Sequence, residues 1–115
     1  MATYDAPLHQ DAFSQMEARR KTIYALIADE PYRHICSGDR VEFGEHGSIT
    51  VGMVRRYKNL EDLVAAQGWH CLVPTAETGE EAIAEVRAIS DWDARQEREV
   101  GVVALRVREA IRKVG

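Results

Sequence analysis

The residues of this 115-residue chain best equipped for chemistry lie in two short basic runs and one aromatic neighbour. Arg19-Arg20-Lys21 and Arg55-Arg56 with Lys58 are compact cationic clusters, and clusters of that kind make a local phosphate-binding face. Three residues beyond Lys21, Tyr24 offers a ring on which a base can stack, worth about 1–3 kcal/mol. Lys21, at the mouth of a strand and beside two arginines, is the candidate general base, since a barrel wall and neighbouring cations lower a lysine's pKa. Strict alternation from Lys21 puts Tyr24 on the opposite face, so the two act together only if the regular strand begins after Lys21. The plainer readings are a solvated lysine, a core tyrosine with its hydroxyl tied to the backbone, and charge clusters that are simply solvated surface.

Other chemistries find less support. His34-x-Cys36 and His70-Cys71 invite a His₂Cys₂ metal site, but structural zinc draws on CxxC or HxxxH spacings, and adjacent side chains such as His70 and Cys71 diverge on an extended segment. Ser14, Ser37, Ser48 and Ser90 lie in no GxSxG or SxxK setting, and no glycine-rich loop of Walker or Rossmann type exists. No metal or cofactor is implied. Trp69 and Trp92 are read as packing residues.

The elements that position these groups follow from pattern. Residues 10–18 have the i, i+3, i+4 spacing of a short amphipathic helix that delivers the chain to Arg19-Arg20-Lys21. Strands are predicted over 21–27, 39–43 and 49–54, the last two hairpinned through Glu45-His46-Gly47-Ser48. Asn59 with Asp62 predicts a capped helix over 59–67 ending at Gly68, and Thr78-Gly79-Glu80-Glu81 a second capping box opening a helix over 79–89. Residues 100–107 read as the closing strand and 110–115 as a frayed tail. The sum is an α+β domain, a curled mixed sheet or barrel of five or six strands with two or three flanking helices.

Length and composition allow one core and one domain, 1–115. The longest apolar stretches fall far short of the ~20 residues that span a bilayer, so no membrane partner is expected. The first 13 residues contain Asp5 and Asp11 and no Lys or Arg; they do not read as a leader, and a cytoplasmic location is the expectation. Cys36 and Cys71 are accordingly read as buried or partly buried free thiols. The net charge of −4 argues against a surface that is basic throughout, but residues 77–99 carry eight acids against three bases, which leaves the remainder at +1. That acidic stretch is compatible with a protein-interaction role.

Arg20-Lys21-Thr22-Ile23, followed by Asp29-Glu30, Arg33, Ile35 and Gly38-Asp39-Arg40-Val41-Glu42-Phe43, resembles the opening of the ASCH family, where a Gly-x-Lys-x-x-Glu-x-Arg strand leads to a Gly-Asp turn and a second strand ending in an aromatic. Val54, Tyr57, Asn59-Leu60-Glu61-Asp62-Leu63 and Glu99-Val100-Gly101-Val102-Val103-Ala104-Leu105 resemble its later blocks, so the similarity spans residues 12–108. It implies a PUA-like barrel with a cleft, associated with RNA binding and with small enzymes acting on modified nucleosides. The motif lysine falls on Lys21, whereas its Gly, Glu and Arg fall on Arg19, Tyr24 and Leu26. One branch resembles an amidohydrolase of N4-acetylcytidine with a Lys, a Thr three residues on and a distant Glu; here Tyr24 stands at the Thr position, and Glu77 or Glu80 lies in the region of the Glu. The expectation is therefore an RNA- or nucleoside-binding domain edged by Arg19, Arg20, Lys21, Tyr24, Arg55, Arg56 and Lys58. The alternative is an amidohydrolase with Lys21 as base and Tyr24 and Glu77 as further candidates, hydrolysing N4-acetylcytidine poorly.

Overall fold

The computed structural model describes residues 1–8, 11–89 and 92–114. Five strands, β1 (Thr3–Asp5), β2 (Ile23–Ile27), β3 (Arg40–Glu42), β4 (Gly47–Tyr57) and β5 (Val102–Arg112), form one sheet in the order β1-β3-β4-β5-β2. The β1–β3 pair is parallel and the other pairs antiparallel. Four helices flank it: α1 (Ala12–Glu17), α2 (Leu60–Gln67), α3 (Gly79–Arg87) and α4 (Ala94–Val100).

The sheet is a curled half-barrel, and its aromatic residues show how far it curls. Three strand spacings separate β2 from β3, about 14 Å in a flat sheet, yet the rings of Tyr24 on β2 and Phe43 just after β3 meet edge-on at 5.0 Å. Phe13, Met16, Tyr24, Leu26, Val41, Phe43, Ile49, Val51, Val103 and Leu105 fill the concave side. Ile23, Ala25, Val102 and Ala104, of opposite parity on the same strands, pack instead against Leu60 and Leu63 of α2 and Ala82, Ile83 and Val86 of α3. The sheet therefore separates two cores, and residues of both come together beside the outer edge of β2.

Local chemistry fixes the ends of these elements. Asn59 accepts from the Asp62 amide at 2.8 Å and Thr78 from the Glu81 amide at 3.1 Å, as the capping patterns predict. Asp39, buried, accepts from the amides of Ala2 and Cys36 and so joins the start of the chain to the turn before β3. Three expectations are corrected. Residues 94–100 are a helix capped by Asp93, and the closing strand starts only at Val102. The expected frayed tail is strand as far as Arg112, because Ser48–Thr50 pair with 109–111 and Arg112 holds Glu17 while lying over the Phe13 ring. Gly47 makes that pairing possible, since a Cβ there would stand 2.2 Å from the Ile111 carbonyl oxygen. Cys36 is exposed in the loop that follows a 3₁₀ turn at 32–34, while Cys71 is half-buried as expected. Gly115, the end of that tail, lies outside the described residues, as do Gln10 and Ser90.

Glu97 binds the helical layer together. Only 1% exposed, it accepts from the Leu60 amide at the start of α2, from Trp92 Nε1 and from the Arg87 guanidinium of α3, which also holds Glu61 in a two-pronged pair. Burial alone raises the Glu97 carboxyl, but these donors outweigh it and hold the pKa below its ordinary 4.5. A depressed carboxyl stabilises the fold at pH above its unfolded value and stops doing so as pH falls through the folded one. Chemical denaturation should thus show stability falling as pH drops below about 4.5. Glu97→Ala should lose about 3 kcal/mol at neutral pH by leaving Arg87 and Leu60 short of a partner, with a flatter acid limb than wild type.

Candidate functional site

A cavity of about 140 Å³ opens where the two cores meet. Its walls come from α1 (Ala12, Gln15), the edge of β2 (Lys21, Tyr24, Ala25), the loop before α3 (Leu72, Thr75) and α3 itself (Glu85, Val86). The sequence makes this corner by ending α1 early. The amides of Arg20 and Lys21 both reach back to the Gln15 carbonyl, and Arg19 takes a left-handed φ of 61°, a conformation uncommon outside glycine. The chain then turns in at Thr22, whose amide, like that of Ile23, is met by the Cys71 carbonyl.

Lys21 is consequently buried, 6% exposed, instead of solvated at a strand mouth. Its Nζ donates to the carbonyl oxygens of Ile23, at 2.9 Å, and of Leu72. Two of the three ammonium N–H groups are committed by these bonds. Burial lowers its pKa from 10.5 to about 8, against the smaller opposing pull of Cys71 and Glu85. Tyr24 is buried beside it, with Nζ 5.8 Å from the ring centroid, and donates its hydroxyl to the Pro7 carbonyl. Burial, followed by Tyr32, raises its pKa above the ordinary 10.0, which leaves it a neutral donor. The two residues share the cavity because β2 begins at Ile23, which releases Lys21 from strand alternation.

The remaining sequence candidates divide. Arg19 joins Arg106 and Arg108 of β5, with Thr22 and Met53, along a groove of about 780 Å³ whose other wall includes Lys21. Arg20 is exposed on the same turn. Arg55 and Arg56 part company: Arg55 pairs with Ala104, two positions from Arg106 on the same face of β5, whereas Arg56 donates to the Arg33 carbonyl. Lys58 is exposed beyond the end of β4, and Glu77 is exposed away from the cavity walls. In its place stand Thr75 and the half-buried Glu85, neither of which the sequence pattern singles out. Glu85 precedes the core residue Val86, and in a segment with eight acids nothing local distinguishes it. Arg106 and Arg108 read only as the polar face of the last strand. Trp69 and Trp92 pack against the helical core, and among the described residues no group of three or more His, Cys, Asp or Glu can hold a metal ion.

No family model and no curated protein matches this chain. Solved structures do. The hypothetical protein PH0355 is similar at 25% identity with a TM-score of 0.84, over 95% of this chain and 99% of its own. Protein PF0455 from Pyrococcus furiosus is similar at 25% identity with a TM-score of 0.75, over 95% and 97%.

The Lys21 shift has a measurable sign. Between its folded value near 8 and the unfolded 10.5, the unfolded chain holds the extra proton, so stability rises with pH through that window. The full difference corresponds to about 3 kcal/mol. Urea titrations at pH 8 and pH 10 should therefore show wild type gaining stability relative to Lys21→Met. Parallel pH dependences would place the ammonium in water and refute its burial.

Proposed function

We propose that this protein binds RNA or a modified nucleoside, with a base or its modification in the Lys21 cavity and the phosphate-bearing strand along the Arg19–Arg106–Arg108 groove. The observation that carries this reading is that Lys21 lines both, so a small cavity and a groove bearing Arg19, Arg106 and Arg108 share one residue. A ligand with a compact ring and an attached anionic backbone suits that junction, because stacking and phosphate contacts are separable contributions. The resemblance to the PUA-like ASCH domains agrees with it. The left-handed backbone at Arg19 stands at the position where the family motif has glycine, which gives that glycine a physical reason.

The test is a salt titration of binding to a short single-stranded RNA. Three phosphate contacts at about 0.7 each give a log–log slope near −2. Arg106→Ala should make it shallower by about 0.7 and weaken all sequences alike, while Arg56→Ala, whose guanidinium is held by Arg33 on another face, should leave it unchanged. Affinity indifferent to salt, or no binding at low salt, would rule the groove out.

A second reading, hydrolysis of an N-acylated nucleoside such as N4-acetylcytidine, is favoured by one specific observation. Thr75 and Glu85 stand on the Lys21 cavity and supply the hydroxyl and carboxylate that residues 24 and 77 do not. In that chemistry neutral Lys21 takes a proton from the attacking water, the Glu85 carboxylate relays that proton from the new ammonium to the leaving amine, and Thr75 donates to the developing oxyanion. Steady-state assays on N4-acetylcytidine decide it: turnover reduced about 10²–10⁴-fold by both Lys21→Ala and Glu85→Gln supports hydrolysis, and absent turnover with retained binding rejects it.

A further inference from the structure

β2 is an edge strand, and which of its backbone groups face outward follows from two hydrogen bonds that bracket it. Val107 N–H donates to the Thr22 carbonyl and Ala28 N–H to the Gly101 carbonyl, while the register pairs Tyr24 with Leu105 and Leu26 with Val103 without interruption. Antiparallel pairs alternate between hydrogen-bonded and non-bonded, so Tyr24 and Leu26 turn their amides and carbonyls to β5, in line with the Thr22 carbonyl and the Ala28 amide. Ile23, Ala25 and Ile27 turn theirs away from the sheet. The protein answers part of this row: Ile23 N–H meets the Cys71 carbonyl, the Ile23 carbonyl takes Lys21 Nζ, and the Ile27 carbonyl takes the Asp29 amide. Among the described residues nothing meets Ala25 N–H, the Ala25 carbonyl or Ile27 N–H.

These orphans are not on open surface. Ala25 is 3% exposed, and it lines both the Lys21 cavity and the adjoining one, of about 320 Å³, that Ile27 and Tyr32 also line. Buried main-chain groups without partners are rare in folded proteins and are otherwise met by water or ligand. A donor and an acceptor on one residue, side by side and facing a cavity, form a two-point reader.

We infer that the main chain of Ala25 reads the hydrogen-bonding edge of the ligand's ring, with the N–H donating to a ring carbonyl or nitrogen and the carbonyl accepting from the adjacent N–H. The edge of a pyrimidine presents that pair of groups side by side, and bases held by proteins are commonly recognised there. This rests on the nucleoside reading and deepens it: the pocket selects by backbone groups, so no side chain at position 25 carries specificity. An added peptide strand would use the same groups, but it needs a longer run of alternating open positions. Here Lys21 and Cys71 close the edge at Ile23, and Asp29 caps the Ile27 carbonyl.

The experiment titrates protein labelled with ¹⁵N and ¹³C at alanine with uridine and cytidine, and with their N3-methyl and N4,N4-dimethyl counterparts, which lack the ring-edge donor. The expected result is that one parent nucleoside shifts both the Ala25 amide and carbonyl signals, and that methylating its edge weakens binding roughly tenfold. Replacing Ala25 by its α-hydroxy acid, which removes the N–H from the free edge without altering the side chain, should weaken the parent and narrow that ratio. Nucleoside binding that leaves the Ala25 signals in place and ignores methylation would overturn the inference while keeping the nucleoside reading. Binding by none of the four would remove that reading and this inference together. An extended valine-rich peptide that moves the Ala25 signals where nucleosides do not would assign the edge to strand addition and overturn the inference as well.

Discussion

The outer edge of β2 lies inside the protein, and its amides and carbonyls cannot be left to bulk water. Most of the site's arrangement follows from how they are answered. The loop carrying Cys71 is drawn across the strand's start to accept from Thr22 and Ile23, and this brings the Leu72 carbonyl within reach of Lys21. Lys21 then bridges that carbonyl and the one of Ile23, and is buried by the loop it helps to hold. Its lowered pKa is a by-product of completing an edge. The same logic explains why Tyr24 points into the barrel: its parity is the bonded one, so its ring packs on Phe43 while its hydroxyl ties the N-terminal segment at Pro7 across the opening.

A second constraint holds the opposite wall in place. α3 presents Glu85 to the cavity and Arg87, two residues on, to Glu97. A buried carboxylate is costly unless fully paired, and Glu97 is paired on three sides, by α2, by α3 and by Trp92. That ties α2, α3 and α4 to one another. Glu85 stands on the same helix as Arg87, two residues before the side chain that this network holds.

How much of this is legible in the sequence depends on whether the signal is local. Caps at Asn59 and Thr78, a hairpin turn near Glu45–Ser48, which the structure places at 43–46, and the alternation along β5 are each set by residues within a few positions, and they are readable. β1 is three residues long and pairs only with β3, far too little pattern to detect. α4 has no apolar stripe: its one buried residue is Glu97, which looks like any other surface acid until Arg87 and Leu60 are brought to it. The same holds at the site. Lys21 and Tyr24 are neighbours in sequence and stand out together, whereas Thr75 and Glu85 join them only through the fold, and Arg106 reaches the Arg19 groove because β5 pairs with β2 in one register.

The two commitments of Lys21 bear on what its free position can do. An ammonium has three N–H groups and a neutral amine has two with a lone pair. With two donors fixed on the carbonyls of Ile23 and Leu72, loss of a proton near pH 8 need break neither bond. It converts the third position from a donor into an acceptor without moving the chain. Below that pH the position suits an anionic or carbonyl oxygen of a bound ligand; above it, the same position can take a proton from water. The geometry that buries the lysine thus serves recognition and general-base chemistry with one set of contacts. What separates the two is whether Thr75 and Glu85 complete the proton path, because a lone base lowered to the right pKa still lacks an oxyanion donor and a route for the proton to the leaving group.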